Sequence, residues 1–210
     1  MHDLKNMLGS VLAGVQLMQA DDSQARWELH KQRLGASTRT LQEMLTSFLD
    51  LSIATRSELA FHPEQLAPEA FMRQALQEFH DLGTLGYHAV ELEVEPSGPF
   101  RGDPYLLRRV LFNLLENACR YSPRDSVVQV ALARTGARIR ISVSDQGQGV
   151  PDDQKARIFD RLFRGEGNAI RSGRGLGLAF CKLAAELHAG TLRVEDNQPR
   201  GTCFILELPG

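Results

Sequence analysis

The first 58 residues contain no proline and carry two apolar patterns at helical spacing. Apolar residues recur every three or four positions over Leu4–Met18, and a heptad seam with Leu34, Leu41 and Phe48 follows after a polar break. The pattern predicts two amphipathic helices joined as a hairpin. Because a lone hairpin cannot cover both seams, we expect residues 1–58 to dimerise into a four-helix bundle. The alternative is that these helices pack onto the downstream part of the same chain.

The sequence changes character at Pro63 and Pro68, which interrupt the helical pattern. We therefore expect a linker at 59–63 and a second domain over 64–210. Alternating apolar residues, tight turns and helix-start signals such as Asp103 before Pro104 predict mixed strands and helices there. The predicted helices lie at 69–82, 102–122 and 175–188, and the predicted strands at 88–96, 126–134, 137–145, 190–196 and 202–209. The expected fold class is α+β, with the helical hairpin followed by an α/β sandwich.

Composition narrows the range of partners. The net charge of −2 and the pI of about 6.3 give no indication of nucleic-acid binding. No apolar run approaches the roughly 18 residues of a membrane span, so we expect no membrane contact by these residues. The three cysteines, Cys119, Cys181 and Cys203, have no metal-binding spacing and are predicted to be buried apolar side chains in a reducing compartment.

Four short stretches of the second domain are individually weak signals but occur in one order: "NLLENACRYS", "DQGQGVP", "IFDRLFRG" and "GRGLGLAF". In the first, Asn113 and Asn117 are four residues apart and therefore share one face of a helix. The second follows a predicted strand, and the fourth leads into a predicted helix. Taken singly, they are better explained by solvated asparagines, a core phenylalanine pair and glycine turns. Their joint occurrence favours a nucleotide site.

In these stretches, residues 100–208 resemble the ATP-binding domain of sensor histidine kinases, whose N, G1, F and G2 boxes come in the same order. The wider GHKL superfamily includes gyrase, the heat-shock chaperone ATPases and the mismatch-repair ATPases. The resemblance implies a Bergerat-type mixed sheet with helices on one face. It also implies ATP held between helices and a mobile lid over 160–174.

The resemblance further implies which residues contact the nucleotide. Asp145 would accept a hydrogen bond from the adenine amino group, and Asn117 would be the Mg²⁺ ligand. Arg120 would lie near the phosphates, Tyr121 beside the base or ribose, and Thr202 under the adenine. The remaining implied contacts are Asn113, Gly147, Gly149, Arg164, Gly173, Gly175, Leu176 and Gly177.

One position distinguishes branches of the superfamily. Gyrase-like ATPases carry a glutamate four residues before the metal asparagine, where it activates water, and Asn113 occupies that position in this chain. An amide is a poor general base, so direct hydrolysis of ATP is disfavoured. We expect the nucleotide to be held for another nucleophile.

The beginning of the chain, "MHDLKN", resembles the phosphoacceptor box of the same family. His2 would receive the γ-phosphoryl group, because a neutral imidazole nitrogen is nucleophilic near pH 7. Asp3 would orient the ring, and Asn6, on the same helix face, would hold the water that dephosphorylates a response regulator. The resemblance thus implies a homodimeric histidine autokinase that uses ATP and Mg²⁺ and transfers phosphate to a response-regulator receiver domain.

Two alternatives stay open from the sequence. One is a stand-alone GHKL ATPase or serine kinase, and the other is a degenerate kinase that acts as an ATP-binding or phosphatase module. Met7 also departs from the family pattern, because many relatives have proline there. Since the family normally has helix before this histidine, we expect the chain to be a piece of a longer protein, able to bind ATP but a poor substrate for its own kinase activity.

Overall fold

The computed structural model describes residues 61–160, 163 and 177–210. The predicted hairpin at 1–58, with His2, Asp3 and Asn6, lies outside these residues. So do Arg164, Gly173, Gly175, Leu176 and most of the predicted lid. Ala60–Gly210 form one compact unit.

The described elements follow the predicted order, with three short additions. The helices are α1 (Pro68–Asp81), α2 (Pro104–Tyr121), α3 (Asp152–Lys155) and α4 (Gly177–Leu187). The strands are β1 (Glu64–Leu66), β2 (Ala89–Val94), β3 (Phe100–Gly102), β4 (Val127–Thr135), β5 (Arg138–Ser144), β6 (Thr191–Asp196) and β7 (Thr202–Pro209). The sequence did not predict β1, β3 or α3, because elements of three or four residues are too short to show a period.

The strands form a mixed five-stranded sheet in the order β2-β4-β5-β7-β6. β2 and β4 are parallel, and the other neighbours are antiparallel. β1 and β3 pair separately as an antiparallel ribbon. This arrangement is a mixed sheet with helices, as the resemblance implied.

Local sequence explains the long helix that carries the asparagines. The Asp103 carboxylate accepts hydrogen bonds from the backbone N–H groups of Tyr105, at 3.0 Å, and Leu106, at 3.1 Å. Pro104 occupies the first helical position, where its missing N–H costs nothing. The predicted cap of α2 is therefore confirmed, and it fixes the residue at which the helix begins.

The core lies between α1, α2, α4 and one face of the sheet. In β5 the alternate residues Ile139, Ile141 and Val143 are at most 1% exposed, while the residues between them are half-buried or exposed. Such alternation is expected of a sheet that is covered on one face only. The prediction of three buried cysteines is wrong for two of them: Cys181 is buried, but Cys119 and Cys203 are only half-buried. Cys119 lies in the last turn of α2, and Cys203 is the second residue of β7.

Candidate nucleotide site

Asp145 directly follows β5 and is 2% exposed. Its Oδ1 accepts backbone N–H hydrogen bonds from Gly147, at 2.7 Å, and from Thr202, at 3.2 Å. Burial raises the pKa of the carboxyl group, and the hydrogen bonds from Gly147 and Thr202 oppose that rise. Neither backbone bond uses Oδ2. The two backbone bonds therefore hold Oδ1 in place, and Oδ2 takes part in neither of them.

Thr202 and Asp145 are brought together by the pairing of β5 with β7. The Asp145 N–H donates to the Thr202 carbonyl at 2.8 Å, and Thr202 is 6% exposed. These two residues are 57 positions apart in the sequence. The fold thus places two of the predicted site residues side by side.

Gly147 is required by contacts within the protein. A Cβ at this position would lie 2.8 Å from Asp145 Oδ1 and 2.9 Å from the Tyr121 carbonyl oxygen. In the described structure this glycine therefore keeps the loop clear of the end of α2. Gly149 has a φ of +81°, a conformation that favours glycine.

Three polar side chains of α2 lie along one stripe. Asn113, Asn117 and Arg120 are half-buried at i, i+4 and i+7, while Leu114, Leu115 and Ala118 face the core. Tyr121, at the end of the helix, is 54% exposed. The face shared by the two asparagines, predicted from their spacing, is therefore present.

Asn113 meets the first residue of α4. A Cβ on Gly177 would lie 3.0 Å from Asn113 Oδ1, so α2 and α4 approach each other closely at this point. Within the described part of the chain, the buried Nδ2 of Asn113 has no hydrogen-bond partner. A buried donor without a partner is costly, and a polar ligand between the helices would satisfy it. Helix N-termini favour anions through their N–H groups and their dipole, so the Gly177 end of α4 suits an anion at the same place.

The described residues contain no cluster of three or more His, Cys, Asp or Glu side chains that could hold a metal ion. A magnesium ion in this region would therefore rely on isolated ligands such as the amide oxygen of Asn117, completed by phosphates and water.

Sequence reasoning missed one group of site residues, in the turn between β6 and β7. Asn197 donates a hydrogen bond from Nδ2 to the Asp145 carbonyl at 2.8 Å, and the backbone of Gly201 packs directly against the same carbonyl. An open groove of about 750 Å³ runs between this turn and residues 148–151. The only sequence signal was an Asn followed closely by Pro and Gly, which predicts a turn but does not indicate what the turn contacts.

The mixed sheet, the buried aspartate after β5 and the asparagine-bearing helix opposite a glycine helix start define an ATP-binding domain. Residues 102–210 match the family described as histidine kinase-, DNA gyrase B- and HSP90-like ATPase. The chain belongs to this family. Its matched domain is the catalytic domain of histidine kinases.

Curated relatives are named as sensory kinases. The chain is 33% identical over 216 residues to the sensor-like histidine kinase SenX3 of Mycobacterium tuberculosis, covering 99% of this chain and 52% of SenX3. It is 27% identical over 220 residues to the adaptive-response sensory kinase SasA of a Nostoc species, covering 99% of this chain and 55% of SasA. The chain thus spans about half the length of the curated relatives it matches.

Solved structures agree with the fold. The mycobacterial sensor histidine kinase MprB matches with a TM-score of 0.60 and 30% identity, over 72% of this chain and 98% of MprB. Full-length ShkA in complex with AMPPNP matches with a TM-score of 0.72 and 22% identity, over 99% of this chain and 44% of ShkA. ThkA in complex with the response regulator TrrA matches with a TM-score of 0.69 and 20% identity, over 99% of this chain and 59% of ThkA. Among the described helices, none has the length and apolar character needed to span a membrane.

Proposed function

We propose that this chain is the catalytic core of a sensor histidine kinase, which binds ATP between α2 and α4 and transfers its γ-phosphoryl group to His2. The observation that carries this proposal is the buried Asp145 carboxylate, fixed through Oδ1 by Gly147 and Thr202. Such a group presents a fixed acceptor that selects a donor. The adenine amino group is a donor, whereas guanine carries a carbonyl oxygen at the corresponding position.

The side chains and helix end found between α2 and α4 fit a nucleoside triphosphate. The buried Nδ2 of Asn113, without a partner in the described residues, offers a donor between the helices. The start of α4, next to Asn113, suits phosphate oxygens. Arg120 adds a cation on the same stripe of α2, and Tyr121 is exposed at its end, where it can cover the base or ribose. We assign Gly149, Arg164, Gly173, Gly175 and Leu176 to the same site on the family resemblance.

We assign the magnesium ion to Asn117, whose half-buried amide oxygen is on the same helix face as Asn113. Magnesium would neutralise charge on the phosphates and leave the transferred group more open to attack. The protein's own contribution is to hold the nucleotide in place and to exclude an effective base. Asn113 cannot take a proton from water, so hydrolysis within the site is disfavoured.

In the proposed transfer, a ring nitrogen of His2 forms a bond to the γ-phosphorus while the bond from that phosphorus to the bridging oxygen breaks, and ADP leaves. Asp3 holds the imidazole in the reactive tautomer. A response-regulator aspartate then receives the phosphoryl group, and Asn6 supports the opposing phosphatase reaction. The ThkA complex with its response regulator supports a receiver domain as the partner.

We further propose that residues 1–58 form the homodimer as a four-helix bundle, that residues 59–63 link it to the ATP-binding domain at 64–210, and that the catalytic core works in the cytoplasm. The heptad seam supports the dimer. The relatives are about twice as long as this chain, which supports the proposal that the chain is a piece of a longer protein.

The test has two stages. Calorimetric titration with ATP and ADP measures binding to the 210-residue chain without requiring catalysis. Incubation with ATP labelled at the γ-phosphate then compares the native chain with His2→Gln, using the exposed His80→Gln as the matched control. We expect an acid-labile label that only His2→Gln abolishes. An acid-stable label, or equal label on both variants, would exclude His2 as the acceptor, and failure to bind ATP would exclude the site itself.

A further inference from the structure

The turn between β6 and β7 is closed by Asn197 through both its backbone and its side chain. The Asn197 N–H donates to the Gly201 carbonyl at 3.1 Å. Its Oδ1 accepts a hydrogen bond from the Gln198 N–H at 3.0 Å, and its Nδ2 donates to the Asp145 carbonyl at 2.8 Å. One half-buried amide therefore shapes the turn with its oxygen and reaches another element with its nitrogen.

The same turn lies directly against the backbone of Asp145. Gly201 has a φ of +121°, and a Cβ there would overlap the Asp145 carbonyl group, 2.7 Å from its carbon and still closer to its oxygen. Only glycine can occupy this position without moving the turn away. The Asn197 hydrogen bond therefore acts across a contact that leaves no room for a side chain.

Asp145 is consequently held at three points by Asn197 of the turn and Thr202 of β7, both more than 50 residues away in the sequence. Its N–H donates to the Thr202 carbonyl, its Oδ1 accepts from the Thr202 N–H, and its own carbonyl accepts from Asn197. The first bond continues the backbone ladder between β5 and β7, and the second joins the Thr202 backbone to the Asp145 side chain. The third lies beyond the end of that ladder, where the peptide joining Asp145 to Gln146 begins the glycine loop.

We propose that Asn197 is a positioning residue that fixes the Asp145 peptide, and through it the direction of the Asp145 carboxylate, so that the site discriminates adenine from guanine. This inference rests on the proposed nucleotide site. Rotation of that peptide moves the Gly147 N–H, which holds Oδ1 at 2.7 Å. A carboxylate with a loosened anchor accepts the adenine amino hydrogen in a poorer geometry, and hydrogen bonds weaken steeply as their geometry departs from linear.

The test compares ATP and GTP affinities of the native chain, Asn197→Asp and Asn197→Ser. The aspartate is nearly isosteric and keeps an oxygen for the Gln198 N–H, but it places an acceptor against the Asp145 carbonyl. We expect ATP affinity to fall about fivefold to tenfold, as for the loss of one hydrogen bond, with GTP affinity little changed. The matched control is Gln198→Ala, since Gln198 is exposed and contributes only its backbone N–H to the bonds described above.

The ratio of the two affinities distinguishes positioning from a general structural role. Urea denaturation without nucleotide gives the folded fraction of each variant, and affinities are corrected for it. The inference would be overturned if the ratio of ATP affinity to GTP affinity stayed unchanged, whether both affinities fell equally or neither fell. Failure of both variants to fold would also overturn it. If the native chain binds neither nucleotide, the proposed function fails first, and that result is visible before any variant is made.

Discussion

Replacing Asp145 with asparagine should separate the stability of this domain from its ability to bind ATP. The amide oxygen of the substituted side chain can still accept the N–H groups of Gly147 and Thr202, so the local backbone bonds are retained. The amide nitrogen then takes the place of Oδ2, and a donor faces the donor on adenine. The substitution removes a charge-assisted hydrogen bond, worth about 1.5–3 kcal/mol, which corresponds to roughly a 10- to 150-fold loss of ATP affinity.

Asp145→Asn should weaken ATP binding, but it should not lower the stability of the domain without nucleotide. Burial raises the pKa of the Asp145 carboxyl above its ordinary value of 3.8. A raised pKa in the folded state means that stability present at low pH is lost as the pH rises through that folded-state pKa. At neutral pH the ionisable carboxyl of Asp145 therefore contributes less to stability than it does at low pH. Asp145→Asn removes this unfavourable pH dependence, so the free energy of unfolding at pH 7 without nucleotide should be at least as high as in the native chain.

Thermal unfolding with and without ATP measures both effects in one experiment. At an ATP concentration about 100 times the native dissociation constant, binding stabilises the native chain by about 2.7 kcal/mol, and a variant that binds about 100-fold more weakly gains only about 0.4 kcal/mol. Asp153→Asn is the matched control, because Asp153 is exposed on α3. A variant that binds ATP within about twofold of the native chain, or that unfolds more easily without it, would refute the assigned role of Asp145.

Three further predictions concern single residues. Gly147→Ala should destabilise the domain by about 1–3 kcal/mol and lower ATP affinity in a titration, because its Cβ meets the Tyr121 carbonyl; Gly98→Ala, which has open space around it, should do neither. His188 donates from Nδ1 to a carbonyl and accepts the Asp103 N–H at Nε2, and burial lowers its pKa below 6.5. Between pH 6.5 and the lower folded-state pKa, only the unfolded state gains a proton at His188. The free energy of unfolding should therefore fall with acidification by up to about 1.4 kcal/mol per pH unit. In urea titrations at several pH values, His188→Gln should flatten this slope. Asn6→Ala should lower response-regulator phosphatase activity while leaving autophosphorylation intact, and parallel loss of both in the labelling assay would contradict the separate role of Asn6.

Local signals were sufficient wherever one residue and its near neighbours decide the structure. Asp103 and Pro104 fix the start of α2 because a cap and a preset φ act within one turn. The strands β4 and β5 were predicted from alternation at 126–134 and 137–145, and the short turn that joins them contains Gly136, whose φ is +62°. The asparagine stripe of α2 follows from helical periodicity alone. The order of the four boxes then indicated the family, which the match over 102–210 confirms.

Contacts between distant segments were decided only by the tertiary structure. No local pattern indicates that β2 runs parallel to β4, because pairing depends on how the crossover through α2 packs on the sheet. The anchoring of Asp145 by Thr202 and Asn197 likewise exists only once β7 lies beside β5.

The sequence by itself determined the family to which the chain belongs and indicated which residues carry the chemistry, since residue type and short-range spacing can be read along the chain. The fold alone decided why Gly147 and Gly201 must be glycine: atoms of Tyr121 and Asp145, brought close by long-range packing, occupy the space that a side chain would need.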